Sequence, residues 1–374
     1  MRDHYFNDNR NGNNTMRQFK YFIYVLLLSI FFLYGLGVGL YRLPPFEQLM
    51  FIKKSLSFEN KSLQNKVNID LSIQERSSSD LISLRQDLIN FLVPSEPSSV
   101  SLRKKNNDVV NISARYYGIS VNAVLTKTKK INSDCLKIYI QGHGGNPFDF
   151  AYHNELVDSF LEIGCNVLSM SMLGIGLNKG KASFLSRFGE IKLSANQAAN
   201  HGNYSLFFDA ASPHIDPLSL FLYPHITIIN TVLDESKYDD VSIMGISGGG
   251  WYTVWLAALM PKISTSISYA GSLPLPYSKY EENHGDWEQI HSKLYGKVSY
   301  LDLYQLMLVD QFGVNNRSAF LVYNDNDSCC FMDPYVSHFQ NTINSSNAFP
   351  SIIIDESTLH SINPTLVLDI LNSN

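Results

Sequence analysis

Short apolar runs alternate with longer mixed segments from about residue 109 to the end of the chain. Segment 109–126 has the alternation of an opening pair of strands, and compact apolar runs follow it. These runs predict buried strands at 136–140, 166–170, 241–244, 263–269, 319–323 and 351–354. Strands of this kind, separated by helix-length segments, indicate a mostly parallel central sheet with helices on both faces. The predicted fold class is α/β, in one domain over 108–374.

An uncharged apolar run covers 21–41, behind a tail at 1–20 that carries four Lys and Arg residues. At about 1.5 Å per residue this run covers the roughly 30 Å core of a bilayer, whereas the apolar part of a cleavable signal is only about 7–15 residues long. We predict a single-pass transmembrane signal anchor at 21–41, with a cleaved signal peptide as the alternative. Because basic residues favour the cytoplasmic side, the tail is predicted cytoplasmic and the folded domain non-cytoplasmic. Gly35 and Gly39 form a small-residue motif compatible with a homodimer.

Residues 42–107 are rich in Ser, Asn and Lys, which is typical of a stalk between an anchor and a folded domain. Leucines recur at helical spacing within it, behind serines and an aspartate that offer an N-cap. These leucines are Leu81, Leu84, Leu88 and Leu92. The pattern predicts one amphipathic helix in the stalk, packed on the folded domain or on a partner.

Composition and charge then exclude several classes of protein. The hydrophobic content of 45% and aromatic content of 12% are sufficient for a large folded core. The net charge of −5 is mild and the chain has no basic block, so no nucleic-acid partner is predicted. Four cysteines are too few for a disulfide-built scaffold, and neither they nor the ten histidines have the spacing of a metal site. We therefore expect neither a metal nor an organic cofactor.

The chain contains one G-x-S-x-G sequence, at 245–249, between the predicted strand 241–244 and a helical segment. A sharp strand-to-helix turn of this kind lifts a serine hydroxyl to the edge of a sheet. Glycines two residues before and after the serine are needed because side chains there would clash. The pattern predicts Ser247 as a nucleophile.

A serine hydroxyl is a poor nucleophile unless a histidine accepts its proton and an acid orients that histidine. Asp327 follows the predicted strand 319–323, and His360 follows the predicted strand 351–354, in the chain order Ser, Asp, His. The carboxyl ends of parallel strands meet at one edge, where active sites assemble. Asp325, in the same turn as Asp327, is the alternative acid, and either residue also fits an ordinary turn aspartate.

These residues, with Gly142-His143-Gly144-Gly145 after the strand 136–140, resemble the α/β-hydrolase superfamily from about residue 109 to the C-terminus. The resemblance implies an α/β-hydrolase fold and an oxyanion hole formed by the backbone N–H groups of Gly145 and Gly248, with His143 holding the loop. It also implies that segment 273–311 supplies a cap over the pocket.

The same fold makes neighbours of the strands that follow Cys135 and Cys165. A non-cytoplasmic location would allow these two cysteines to pair.

The predicted function is hydrolysis of a carboxylic ester, small-molecule, lipid or glycan, through an acyl-enzyme. A peptidase or an acyltransferase uses the same constellation, because specificity lies in the pocket rather than in the nucleophile. The competing class is a non-catalytic α/β-hydrolase-like binding protein, tethered to the membrane through 21–41. An intact Ser, Asp and His set disfavours that class.

Overall fold

The computed structural model of the chain describes residues 29, 34, 69, 71, 73–93, 99–116, 118–130, 133–180, 182–186, 189–193, 216–277, 286–325, 327, 329–331, 333–344, 346–356 and 360–373. The chain divides into two compact units, 1–65 and 66–374, and the elements below belong to the second. The predicted tail and membrane anchor lie outside the described residues, apart from Ser29 and Tyr34. Within the part of the chain that is described, no helix combines the length and the apolar character needed to cross a bilayer.

The centre of the second unit is a mixed β-sheet. Its strands and one separate hairpin are β1 Ser99–Lys104, β2 Val109–Tyr116, β3 Ile119–Thr126, β4 Cys135–Gln141, β5 Asn166–Ser171, β6 Ala182–Ser186, β7 Gly189–Leu193, β8 Asp240–Ile246, β9 Thr265–Tyr269, β10 Ser318–Asn324 and β11 Ser351–Asp355. Strands β6 and β7 form the hairpin, and the other nine form one sheet in the order β1-β2-β3-β5-β4-β8-β9-β10-β11. From β5 to β11 neighbouring strands of this order run parallel, whereas β1, β2 and β3 join by antiparallel pairing.

The strands predicted from apolar runs are confirmed, and with them the mostly parallel sheet. Strands β4, β5 and β9 are buried at every residue, as expected for parallel strands covered on both faces. Strands β2 and β3 instead alternate fully buried with less buried residues. This difference in burial explains the two sequence patterns. The opening pair alternates apolar and polar residues, whereas the later strands are continuous apolar runs.

Helices cover both faces of the sheet. They are α1 Ser78–Leu92, α2 Ala151–Ile163, α3 Pro217–Glu235, α4 Gly248–Leu259, α5 Trp287–Ile290, α6 Ser292–Tyr295, α7 Tyr300–Leu308, α8 Tyr335–Ile343 and α9 Pro364–Asn372. One hydrophobic cluster joins Leu136 and Ile138 of β4 to helices α1, α3, α4 and α7. A second cluster joins Tyr139, on the opposite side of the same strand, to α2 and α9. The predicted α/β class, with helices on both faces, is therefore confirmed.

Helix α1 is the amphipathic helix predicted at 42–107. Ser77 caps it by accepting the Asp80 N–H at 3.2 Å, and the helix buries Leu81, Leu88 and Leu92. The same face buries Arg85, whose guanidinium reaches main-chain carbonyl groups of helices α4 and α7. Helix α1 and the edge strand β1 both come from the segment predicted as a stalk, and both belong to the second compact unit. That unit therefore begins N-terminal to the predicted domain boundary at 108.

Much of segment 273–311 belongs to the core rather than to a cap. Helix α7 is buried at every residue and packs against α4. The Tyr295 hydroxyl accepts hydrogen bonds from the indole N–H groups of Trp251 at 2.9 Å and Trp255 at 3.3 Å, and donates to the Tyr300 hydroxyl at 2.8 Å. Residues 278–285 lie outside the described part. Only the part of segment 273–311 that precedes α6 is therefore still expected to contribute to a cap over the pocket.

A disulfide joins Cys135 to Cys165, with an S–S distance of 2.09 Å. Cys135 is the first residue of β4 and Cys165 directly precedes β5, and the two strands are paired neighbours. The pairing predicted for these cysteines is confirmed. It lies at the amino ends of the parallel strands.

Candidate active site

Four loops converge because four parallel strands end at the same edge of the sheet. Strand β4 leads into the glycine loop 142–145, β8 into Ser247, β10 into the turn that contains Asp327, and β11 into the loop that contains His360. In a parallel sheet the carboxyl ends of the strands lie side by side. The residues predicted from separate motifs therefore share one edge.

Ser247 is in the strained conformation expected of a strand-to-helix elbow. Its backbone has φ 58° and ψ −127°, which costs a non-glycine residue about 1–3 kcal/mol. Its N–H donates to the Tyr269 carbonyl at 2.9 Å, and its carbonyl accepts the Trp251 N–H at 3.1 Å. Ser247 is half-buried, whereas the residues on either side of it are buried. The turn exposes this one side chain at the sheet edge.

The flanking glycines are required by close backbone approaches. A Cβ on Gly245 would overlap the Gly249 carbonyl, and a Cβ on Gly249 would overlap the Ile140 carbonyl of β4. On the neighbouring loop, a Cβ on Gly142 would lie 2.5 Å from the Ile246 carbonyl oxygen and 2.8 Å from the Gly248 nitrogen. The steric reason predicted for the two glycines of the motif is confirmed.

The candidate base lies against one of the two candidate acids. His360 Nδ1 is 2.6 Å from Asp327 Oδ2, and the Asp327 side chain is fully buried while that of His360 is 26% exposed. Asp325 is exposed, and its N–H donates to the Asp355 carbonyl at 2.9 Å. The aspartate beside His360 is therefore Asp327, and Asp325 occupies a turn that ties β10 to β11.

The second carboxylate oxygen of Asp327 is held by main-chain groups. Oδ1 accepts the N–H of Cys329 at 2.7 Å and that of Cys330 at 3.3 Å. The N–H of Asp327 itself donates to the Asn324 carbonyl at 3.1 Å, and Asn324 Nδ2 donates to the Ser361 carbonyl at 2.9 Å. These contacts fix the acid loop and link it to the loop of the candidate base.

The Gly248 amide, predicted as one oxyanion donor, begins helix α4 directly after Ser247. A Cβ on Gly248 would lie 2.6 Å from Met172 Sδ and 3.2 Å from His143 Cε1, so these two side chains flank it. Gly145, the other predicted donor, has φ 130°, a conformation suited to glycine. Its carbonyl oxygen faces Gly176, which has no room for a Cβ.

A small polar cluster adjoins the glycine loop. His143 Nε2 lies 3.3 Å from Asp286 Oδ2, and His143, Asp286 and Glu288 each offer a ligand atom within 4.8 Å of the others. Of the described residues at this edge, these three could hold a cation. Cys329, Cys330 and His360 are also mutually within 4.8 Å, but the cysteines are joined in a disulfide and so provide no thiolate ligand.

Two other histidines, His153 and His225, are fully buried and have hydrogen-bond partners within the core. Burial lowers the pKa of His153 to about 4, and its Nε2 lies 2.9 Å from Ser169 Oγ. Burial likewise lowers the pKa of His225 to about 4, and its ring nitrogens face the carbonyl oxygens of Phe221 and Ser171. Their environments suit neutral structural imidazoles.

Sequence reasoning missed three features of this edge: the disulfide between Cys329 and Cys330, Met172 beside Gly248, and Asp286 beside His143. Adjacent cysteines two and three residues after Asp327 were the available signal for the first. Met172 and Asp286 belong to no recognisable motif. They reach the site on loops that are distant in sequence from Ser247 and His143, respectively, so the sequence gives no signal for them.

No family model matches this sequence, and no curated protein sequence is similar enough to be a relative. Solved structures do resemble it. Acetyl xylan esterase 1 from Thermoanaerobacterium sp. JW/SL YS485 matches with a TM-score of 0.50 at 14% identity, over 80% of this chain and 94% of that one. A methylesterase matches with a TM-score of 0.51 at 14% identity, over 84% of this chain and 67% of that one. A CE15 glucuronoyl esterase from Teredinibacter turnerae T7901 matches with a TM-score of 0.50 at 12% identity, over 79% of this chain and 84% of that one. At these identities the likeness establishes the fold: the chain has an α/β-hydrolase fold.

Proposed function

We propose that this chain is a serine hydrolase that cleaves a carboxylic ester through Ser247, His360 and Asp327. The observation that carries the proposal is the 2.6 Å contact between His360 Nδ1 and Asp327 Oδ2. It occurs at the sheet edge where a serine in a strained elbow presents its hydroxyl. An acid on Nδ1 holds the imidazole so that Nε2 can accept a proton.

In the proposed reaction Ser247 Oγ attacks the acyl carbonyl carbon while His360 Nε2 takes the hydroxyl proton. The tetrahedral intermediate collapses to an acyl-enzyme, and His360 returns the proton to the leaving alcohol. Water then attacks the acyl-enzyme by the same route and releases the acid. The N–H groups of Gly145 and Gly248 are the proposed oxyanion donors, and one such donor typically contributes about 3–4 kcal/mol in the transition state.

An ester is the proposed substrate class, with small-molecule, lipid and glycan esters as candidates. Structures with the same fold include an acetyl xylan esterase, a methylesterase and a glucuronoyl esterase, which supports an ester. The same fold supports many reactions, so amide hydrolysis and acyl transfer are the alternatives that the assay must separate.

We also propose that the domain is anchored by 21–41 on the non-cytoplasmic side of a membrane. The apolar run and the basic tail support this, and so do two disulfides, since disulfides form and persist in oxidising compartments. Protease added to intact cells should then digest the domain but leave the tail. A digested tail with a protected domain would contradict this location.

The test of the function compares purified full-length chain with Ser247→Ala and with Ser120→Ala, an exposed control serine on β3. The substrates are a series of acyl esters of increasing chain length, acetylated and methylated sugars, the matching amides, and an ester offered with an acceptor alcohol. We expect ester hydrolysis that Ser247→Ala abolishes and Ser120→Ala leaves intact. Turnover that survives Ser247→Ala, or none on any substrate, would contradict the proposal and favour the non-catalytic binding protein.

A further inference from the structure

The acid loop contains a disulfide between two consecutive residues, Cys329 and Cys330. Cys329 is exposed and Cys330 is partly buried. A sulfur of each lies within 4.8 Å of a ring nitrogen of His360. The disulfide is therefore next to the candidate base as well as two residues from the candidate acid.

The same two residues supply the amides that hold Asp327. Their N–H groups donate to Oδ1 at 2.7 and 3.3 Å, while Oδ2 faces His360 at 2.6 Å. One oxygen of the carboxylate is thus anchored to the backbone and the other is presented to the imidazole. The direction of Oδ2 depends on where the amides of Cys329 and Cys330 point.

A bond between neighbouring side chains closes a small covalent ring that includes the peptide unit between them. Such a ring removes most of the rotational freedom of that unit, which carries the Cys330 N–H, and it also holds the Cα to which the Cys329 nitrogen is bonded. The loop that contains both residues has neither helix nor strand. Catalytic groups must be held close to their productive geometry, and an error of about 1 Å can cost roughly 100-fold in rate.

We infer that the Cys329–Cys330 disulfide is a positioning element for the reaction: it fixes the peptide unit that carries the Cys330 N–H and the Cα that bears the Cys329 nitrogen, and so aims Asp327 at His360. The inference rests on the proposed serine-hydrolase function. It assigns the disulfide no contact with the reacting atoms, and its effect passes through Asp327.

The other disulfide provides a matched control. Cys135–Cys165 links the amino ends of β4 and β5, at the edge of the sheet opposite the site. A general loss of stability on losing a disulfide would follow from either pair, whereas a change in the geometry of Asp327 would follow only from Cys329–Cys330.

The experiment compares full-length wild type with Cys329→Ser/Cys330→Ser and Cys135→Ser/Cys165→Ser. Serine keeps the backbone amides and removes only the covalent link. We expect the Cys329/Cys330 variant to lose about 10- to 100-fold in kcat with KM little changed. We also expect weakening of the far-downfield proton resonance of an imidazole N–H bonded to a carboxylate. The Cys135/Cys165 variant should keep both.

A second arm does not depend on the Cys329/Cys330 variant folding. In the Cys135→Ser/Cys165→Ser background, a small dithiol donates two electrons and two protons, so that the S–S bond breaks, two cysteine thiols form and the reagent becomes a cyclic disulfide. Peptide mass spectrometry of alkylated thiols confirms the reduction. Activity and the resonance should fall on reduction and return on reoxidation.

Unchanged kcat and an unchanged resonance after loss of Cys329–Cys330, by either route, would overturn the inference. A change in KM alone would also overturn it, because it would make the disulfide a pocket wall. Failure of the proposed function is distinguishable, since the wild type itself would then not react with a fluorophosphonate probe.

Discussion

Replacing Arg85 by Met should destabilise the second unit, although Arg85 lies in the segment that the composition assigns to a stalk. Arg85 is buried at 5% exposure, and its guanidinium donates to four main-chain carbonyl groups. They belong to Ala258 at 2.8 Å, Asp310 at 2.6 Å, Leu306 at 2.9 Å and Val309 at 2.6 Å. Methionine keeps the apolar stem and removes the donors.

The expected loss in the free energy of unfolding depends on which of these carbonyl groups still accept a hydrogen bond in the variant. Arg317 Nη1 also donates to Leu306 at 3.1 Å and Val309 at 3.0 Å, and the Gly313 N–H donates to the Asp310 carbonyl at 3.3 Å. The loss of the Arg85 donors is therefore felt chiefly at the Ala258 carbonyl. An unsatisfied buried group costs about 1–3 kcal/mol. Burial lowers the pKa of Arg85 to about 10, so Arg85→Met also removes the cost of burying a charge, which reduces the net effect. We expect a net loss of about 2 kcal/mol.

The assay is urea unfolding of the full-length variants, followed by the fluorescence of Trp251 and Trp255 in the buried helix α4. Arg103→Met on the exposed strand β1 is the matched control, and it should stay within about 0.5 kcal/mol of wild type. If Arg85→Met were equally neutral, helix α1 would not unfold together with the rest of the second unit, which would contradict the prediction.

Three further predictions concern the acid, the elbow and pH. Asp327→Asn should lower kcat by roughly 10⁴-fold, while Asp325→Asn should leave it nearly unchanged; comparable losses in steady-state assays would show that the acid is misassigned. Gly249→Ala should prevent stable folding because its Cβ would overlap a β4 carbonyl, whereas Gly180→Ala has no atom within 4 Å of its Cβ; similar melting temperatures for the two would contradict the steric account. Burial lowers the pKa of His153 to about 4, so the unfolded chain takes up a proton near pH 6.5 before the native one does. His153 should therefore account for about 3 kcal/mol of the fall in the free energy of unfolding between pH 6.5 and 4, in addition to the part that His225 contributes through its similarly lowered pKa. His153→Gln should remove only the His153 part of the slope; an unchanged slope in urea titrations would count against it.

Much of the sheet could be predicted because its strands are buried on both faces. Strand β9 is buried at every residue and reads as a continuous apolar run. Strand β1 is exposed at every residue, so its two apolar residues, Val100 and Leu102, mark no buried face. The strand is defined by its pairing with β2. Arg85 is a comparable case. A charged residue in a polar segment is normally exposed, and only the folded structure shows that its guanidinium donates to four main-chain carbonyl groups.

The candidate site was predictable where local sterics fix the residue type. Gly245 and Gly249 identify the elbow because neither position has room for a side chain. The sequence offers two candidates for the acid because Asp325 and Asp327 share one polar turn. Long-range contacts separate them: the Asp325 N–H bonds to Asp355, whereas Asp327 lies against His360.

We propose Ser247 as a nucleophile activated by His360 and Asp327. The most direct measurement is labelling of the full-length protein with a fluorophosphonate probe, followed by peptide mass spectrometry to locate the adduct. We predict one adduct, on Ser247, that forms much more slowly in Asp327→Asn and is absent in Ser247→Ala. No adduct in the folded wild type, or an adduct that persists in Ser247→Ala, would contradict it.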